Sequence, residues 1–273
     1  MGEPIASEKI LLEVSKLEVV YNKASIAIQG VSLKVPEKSI VAILGVNGAG
    51  KTTTLRAISG FLGSDNADIK DGLIQFEGRK LNGKLPHEIA REGVILVPER
   101  QKIFETLTVK ENLLAGACRI KGKGNIKEAI DKVYFYFPVL QKRSNEVAGY
   151  LSGGERQMLA IGSALLCTPR LLMPDEFSLG LAPLIADFLS TVLQSLRNDL
   201  GLTILLVEQN AMAALKIADY GYIMENGRIV FEGTPQKLMS HEDVQEFYLG
   251  IGKVGTKSYR DVKQYSRTRR WWS

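Results

Sequence analysis

Scarcity narrows this sequence before any motif does. It holds two cysteines, Cys118 and Cys167, far apart and in no CxxC pattern. That excludes a disulfide framework and predicts free thiols of the kind a reducing compartment keeps. No run of about 18 apolar residues occurs, so no segment is expected to span a membrane, and a role at a membrane would need a partner that does. The opening MGEPIASEKI lacks a basic n-region and an apolar h-region, so no secretory signal is expected. Ala6 stands where a myristoylation pattern needs Ser or Thr. Excess charge is also missing from most of the chain. Residues 251–273 hold seven Lys/Arg and one acid, leaving 28 basic and 29 acidic side chains in residues 1–250. The body is therefore not a basic nucleic-acid binder, and no nucleic acid is expected among the partners.

What is present is an alternation of strands and helices. LLEVSKLEVVY and AIQGVSLKV alternate apolar and polar residues, as half-buried antiparallel strands do. SIVAILGV, GVILVPE, LLMP and LTILLVEQ are continuous apolar runs, read as buried strands, and GLIQFEGRKL reads as one further strand. Between about residues 100 and 165 the pattern turns helical. PLIADFLSTVLQSLRNDL is an amphipathic helix stopped by Gly201, and GYIMENGRIVFEG is a hairpin turning at Asn226-Gly227. A last helix is expected to end near Gly250. Buried strands alternating with helices predict an α/β fold with a parallel sheet.

Three stretches carry chemistry. In GVNGAGKTT, residues 45–53, Gly45, Gly50, Lys51 and Thr52 fit GxxxxGK[ST], after a predicted strand and before a predicted helix. Glycines, Gly48 among them, let backbone N–H groups point inward and cradle phosphate oxygens, helped by the helix N-terminus. Lys51 is expected to reach the β- and γ-phosphates of ATP, and the Thr52 hydroxyl to ligate Mg²⁺. In LLMPDEFSLGLAP, residues 171–183, Asp175 is the second Mg²⁺ ligand and Glu176 the acceptor for a proton from attacking water. In LSGGERQ, residues 151–157, Ser152, Gly153, Gly154 and Glu155 open a helix. They read as a capping box or as a second anion cradle. One nucleotide seldom needs two cradles in one subunit, so the second reading implies two subunits packed head to tail.

These motifs, in this order and spacing, resemble the ATP-binding subunits of ABC transporters from about Leu12 to Gly250. VPE, SLGLAP and VEQN resemble more closely the LivF-like ATPases of branched-chain amino acid importers. The resemblance implies a P-loop NTPase of the ABC ATPase type: a mixed sheet core, an antiparallel β subdomain and an inserted helical subdomain. Residues 1–250 would form one such domain, with 251–273 a basic, aromatic tail. It implies that Asn47, Ala49 and Thr53 join the nucleotide loop, that Tyr21 stacks on adenine, and that Glu99 senses Mg²⁺ where most of the family has Gln. Gln209 stands where most members have a His on the γ-phosphate, and the chain's two histidines, His87 and His241, end no predicted strand. Ala182 replaces the usual Asp of the loop after the acids. The implied partners are two membrane permease subunits, a second ATPase subunit and an external solute-binding protein, at the cytoplasmic side of the cell membrane.

One departure belongs to this chain. The family reads an apolar residue before the acidic pair and Pro after it, whereas here Pro174 and Phe177 exchange places. In a central strand Pro174 would lose a ladder hydrogen bond, and reversing the exchange is expected to raise stability and turnover. Besides the importer ATPase, two alternatives stand: a soluble ABC-type ATPase, and an ATP-binding switch that hydrolyses little because of Pro174 and Gln209. The tail also keeps two readings, a solvated terminus or a segment resting on an anionic membrane surface through its Lys/Arg and Trp271-Trp272.

Overall fold

The computed structural model describes residues 9–99 and 103–247, so the tail expected at 251–273 lies outside the described residues. Two sheets share the work. β1 (Ile10–Tyr21) pairs antiparallel with β2 (Ser25–Pro36) on one edge and with β4 (Ala67–Phe76) on the other. β5 (Arg79–Lys80) returns along β4. The sequence pattern GLIQFEGRKL predicts one strand, but the chain reverses at Glu77-Gly78, with φ of 50° and 74°. Two consecutive left-handed residues make the tight turn whose twist suits a hairpin, and Gly78 supplies one of them without strain.

The second sheet has the order β10-β9-β3-β8-β7-β6. Its strands are β3 (Ile40–Leu44), β6 (Val94–Val97), β7 (Leu171–Pro174), β8 (Thr203–Glu208), β9 (Tyr220–Glu225) and β10 (Arg228–Gly233). All run parallel except β10, which closes the hairpin predicted at Asn226-Gly227. Every residue of β3, β7 and β8 is buried, which is why these segments read as unbroken apolar runs. The period of two then divides each strand between two cores. Val41, Ile43, Leu205 and Val207 face the antiparallel sheet and α1 (Lys51–Ser59). Ile40, Ala42, Leu44, Ile204 and Leu206 face the helical side.

α2 (Pro86–Arg91) precedes β6. Between β6 and β7 come α3 (Val109–Gly116), α4 (Lys123–Tyr136), α5 (Pro138–Lys142) and α6 (Gly153–Leu166), where the sequence turns helical. α7 (Pro183–Leu200) ends at Gly201 in the left-handed conformation expected of a stop, and α8 (Ala211–Leu215) follows β8. The single last helix expected from the sequence is two short ones, α9 (Pro235–Ser240) and α10 (Glu242–Phe247), parted at His241. Among the described residues no helix is long and apolar enough to cross a membrane.

Pro174 does sit in an interior strand. Leu171 and Asp175 donate their N–H groups toward β6, to Gly93 and Val97, and Glu176 donates toward β8, to Val207. By alternation the Pro174 nitrogen faces β8, opposite the Leu205 carbonyl, and has no proton to give. The β7–β8 register accordingly runs through Leu171 and Leu172 and resumes only at Asp175 opposite Val207. Pro174→Leu is therefore expected to raise unfolding free energy by roughly 0.5–1.5 kcal/mol in denaturant titration. No gain would mean that a replacement side chain does not fit the buried site. Phe177 changes the expectation for the reverse exchange. Its ring is fully buried in the helical-side core. Phe177→Pro would empty that space at about 3–5 kcal/mol, so the doubly exchanged variant should be less stable than Pro174→Leu alone.

Candidate nucleotide site

β3 ends at Leu44, and the chain turns through residues 45–50 into α1. The turn needs its glycines. A Cβ at position 45 would stand 2.3 Å from the Met224 carbonyl oxygen. Gly50 caps α1 at φ +103°, with Met224 Cε 2.9 Å from where a Cβ would be. Gly48 is left-handed in open space. Asn47 and Gly48 are exposed, and Ala49 is buried beneath them.

The Lys51 side chain folds back into this loop. Its Nζ donates to the carbonyls of Gly45 (2.9 Å) and Val46 (3.3 Å) and lies 3.2 Å from Glu176 Oε1. The Thr52 hydroxyl donates to Asp175 Oδ1 at 3.1 Å. The Tyr21 hydroxyl lies 3.2 Å from Thr53 Oγ1, which brings the end of β1 to the first turn of α1. Burial is the main cause that pushes the Asp175 carboxyl up to about 6. The Thr52 hydrogen bond opposes it, the charges of Glu176 and Glu99 add to it, and Lys51 opposes it. The oxygen pair of Thr52 and Asp175, with Glu99 near enough to act on Asp175, is a hard donor set that suits Mg²⁺. Among the described residues no group of three or more His, Cys, Asp or Glu is placed to hold a metal alone.

Tyr21, the 45–53 loop, Glu99, Asp175 and Glu176 thus converge at the C-terminal ends of β3, β6 and β7. Gln209 is exposed just beyond β8, the strand that lies between β3 and β7. Ser152 and Glu155 form the capping box of α6: the Ser152 N–H and hydroxyl both donate to Glu155 Oε2 at 2.8 Å, and the Glu155 N–H donates back. Glu155 also pairs with Arg143 at 2.9 Å. Within one chain these groups serve the cap. Gly154 has a packing reason as well, because its Cβ would stand 2.7 Å from Ile185 Cγ2 on α7.

Sequence reasoning passed over Glu208. It is 1% exposed and ends β8. Its two carboxylate oxygens accept from the Ser178 N–H and hydroxyl, each at 2.9 Å. The missed signal is the one that marked Asp175, a charge closing an apolar run. Burial is the main cause that pushes this carboxyl up to about 7. The Ser178 hydrogen bonds oppose it, the Glu176 charge adds to it, and the Asn210 N–H opposes it. A carboxyl raised in the folded state binds its proton more tightly there than in the unfolded chain. Stability is then fullest below the unfolded pKa and falls as pH rises through the folded one. For Glu208 that window runs from about 4.5 to about 7, and Asp175 adds the same sign from about 4 to about 6. The nucleotide-free protein should lose stability on the order of 1–3 kcal/mol between pH 5 and 8. Glu208→Gln should flatten that decline, and equal slopes for both proteins in thermal melts would contradict the assignment.

Known proteins match this arrangement. Residues 28–178 fit the ABC transporter family model. The chain is 42% identical over 240 residues to BraG of Pseudomonas aeruginosa, a high-affinity branched-chain amino acid transport ATP-binding protein, covering 88% of this chain and 100% of that one. It is 37% identical to the probable branched-chain amino acid transport ATP-binding protein LivF of Archaeoglobus fulgidus, over 88% of this chain and 99% of that one. Among solved structures, the ADP conformation of MJ1267, an ATP-binding cassette of an ABC transporter, superposes with a TM-score of 0.76 at 28% identity. It covers 89% of this chain and 99% of that one. The chain belongs to the ABC transporter family and is an ATP-hydrolysing cassette of that family.

Proposed function

We propose that this chain energises uptake of branched-chain or other hydrophobic amino acids, or a related small solute, through two membrane permease subunits. The convergence of Lys51, Thr52, Asp175 and Glu176 at one sheet edge carries the mechanism. The names of the two relatives support the solute class. Residues 1–250 act as one ATPase domain, peripheral to the cytoplasmic side of the cell membrane. An external solute-binding protein delivers the solute.

The site already holds the reacting groups beside one another. Lys51 neutralises Glu176 at 3.2 Å. When ATP enters the 45–53 loop, Lys51 turns to the β- and γ-phosphates, and Glu176 is released to accept the proton of the attacking water. Thr52 and Asp175, with Glu99, would hold Mg²⁺, which would supply positive charge against the phosphates. Tyr21 stacks on adenine with its ring. Gln209 donates its amide to the γ-phosphate and, being an amide, stays neutral across the pH range. In a dimer of cassettes, Ser152, Gly153, Gly154 and Glu155 of each subunit close over the nucleotide of the other. ATP-driven closure and release after hydrolysis shift the permease between states.

The test is to co-express the chain with candidate permease subunits, purify the assembly and measure ATPase activity and solute uptake in vesicles. Uptake of leucine, isoleucine or valine that stops in a Glu176→Gln assembly is the expected result. Vigorous ATPase activity with no association to any permease would favour a soluble ABC ATPase. Tight ATP binding without turnover in the full assembly would favour a switch.

A further inference from the structure

We infer that Glu208 is a positioning residue for Glu176, acting through Ser178. The inference rests on the reading of Glu176 as the proton acceptor. Glu176 has φ +50°, a left-handed conformation that a side-chain-bearing residue adopts only when its surroundings impose it. The sheet fixes the near side. Asp175 donates its N–H to Val97 and Glu176 donates to Val207. Beyond Glu176 the chain leaves the sheet, and two features hold it. The Phe177 ring is fully buried. Ser178 delivers both its N–H and its hydroxyl to the two oxygens of Glu208, each at 2.9 Å. The reversal closes with the Leu179 N–H donating to the Glu176 carbonyl at 3.3 Å.

Burying a charge is unfavourable unless a cation or several donors compensate it. Among the described residues no Lys or Arg pairs with Glu208; its donors are the Asn210 N–H and, from the segment that carries Glu176, the N–H and hydroxyl of Ser178. A carboxylate accepts two bonds in one plane, so it fixes both the height and the rotation of Ser178. Glu208 itself is locked in β8, opposite Leu44 of β3, one residue before the 45–53 loop begins. The strand that leads to the phosphate loop and the turn that bears the base are thereby registered against a common neighbour. This matters because Glu176 must change partner from Lys51 to water while its backbone stays in place. A base displaced by about 1 Å loses rate on the order of a hundredfold.

The test uses the full-length protein and reads kcat, KM for MgATP and ATP affinity separately. Glu208→Ala should lower kcat roughly 10–100-fold with nucleotide affinity unchanged. Glu208→Gln should restore most of the turnover. Its amide oxygen can accept from the Ser178 N–H while its amide nitrogen donates to the Ser178 hydroxyl, turned to accept. Ser178→Ala should lower kcat in part and add nothing further on top of Glu208→Ala, because the two groups form one contact. A wild-type kcat in Glu208→Ala, or losses that add in the double variant, would overturn the inference. Should Glu208→Ala fail to fold, Ser178→Ala decides alone, and a wild-type kcat there is fatal. Glu176→Gln serves as the control for the underlying reading. If it is inactive while Glu208→Ala is not, only the positioning role falls. If Glu176→Gln itself turns over normally, the assignment of the base falls.

Discussion

Glu176→Gln should bind ATP as tightly as the native protein and hydrolyse it about 10²–10⁴-fold more slowly. The substitution keeps the shape of the side chain and removes its ability to take a proton. The contacts of Lys51 show why binding should survive. Lys51 keeps its bonds to the Gly45 and Val46 carbonyls whether or not it pairs with position 176, so the loop retains its shape. Binding should if anything be favoured, because Lys51 no longer has to leave a buried carboxylate before reaching the phosphates. With turnover stopped, the closed dimer should accumulate and be visible by size-exclusion chromatography in MgATP. Ser152→Arg placed on top should prevent it, because a large cation would then stand in the cap of α6. A Glu176→Gln protein that remains monomeric with saturating ATP, alone and with permease, would argue against a head-to-tail sandwich. One that hydrolyses ATP at the native rate would remove Glu176 from the mechanism.

The parts of this site that sequence makes legible share one property: their chemistry needs fixed residue types at fixed spacing. Gly45, Gly50, Lys51 and Thr52 cannot be replaced without losing the cradle, and Asp175 and Glu176 stand out because charge at the end of an apolar run needs a reason. Central strands were legible for a related cause, since burial on both faces leaves no polar positions. What stayed hidden depends on distance in space. Ser152 and Glu155 satisfy a capping box and a phosphate cradle with the same atoms, and only a partner subunit separates the two uses. Phe177 lies in a loop segment, and no local pattern says that its ring fills the core 0% exposed. The Glu77-Gly78 reversal is hard to read because the two residues that return after it, Arg79 and Lys80, are exposed and carry no apolar alternation. Glu208 shows the limit most clearly. It carries the same signal as Asp175, yet its partner Ser178 is 30 residues earlier, and nothing in either stretch announces the contact.

Lys51→Ala should abolish tight MgATP binding, and the structure adds a second consequence that the motif does not carry. From sequence alone the substitution is expected to leave the fold intact. In the structure, however, Lys51 is 4% exposed and Glu176 8% exposed, and they form a buried ion pair beside a second buried acid, Asp175. Removing the cation leaves Glu176 with its charge uncompensated in a place water scarcely reaches. Breaking a buried pair in this way costs about 3–5 kcal/mol, far more than the pair itself contributes over an apolar replacement. Lys51→Ala should therefore melt several degrees below the native protein when both are free of nucleotide. Glu176→Gln added to it should recover much of that loss, because the uncompensated charge is gone, and should recover none of the ATP affinity. The two readouts, calorimetric binding and thermal unfolding, come apart only if Lys51 serves the phosphates in one state and Glu176 in the other. Undiminished MgATP affinity in Lys51→Ala would refute the first role. An unshifted melting temperature in the nucleotide-free variant would refute the second.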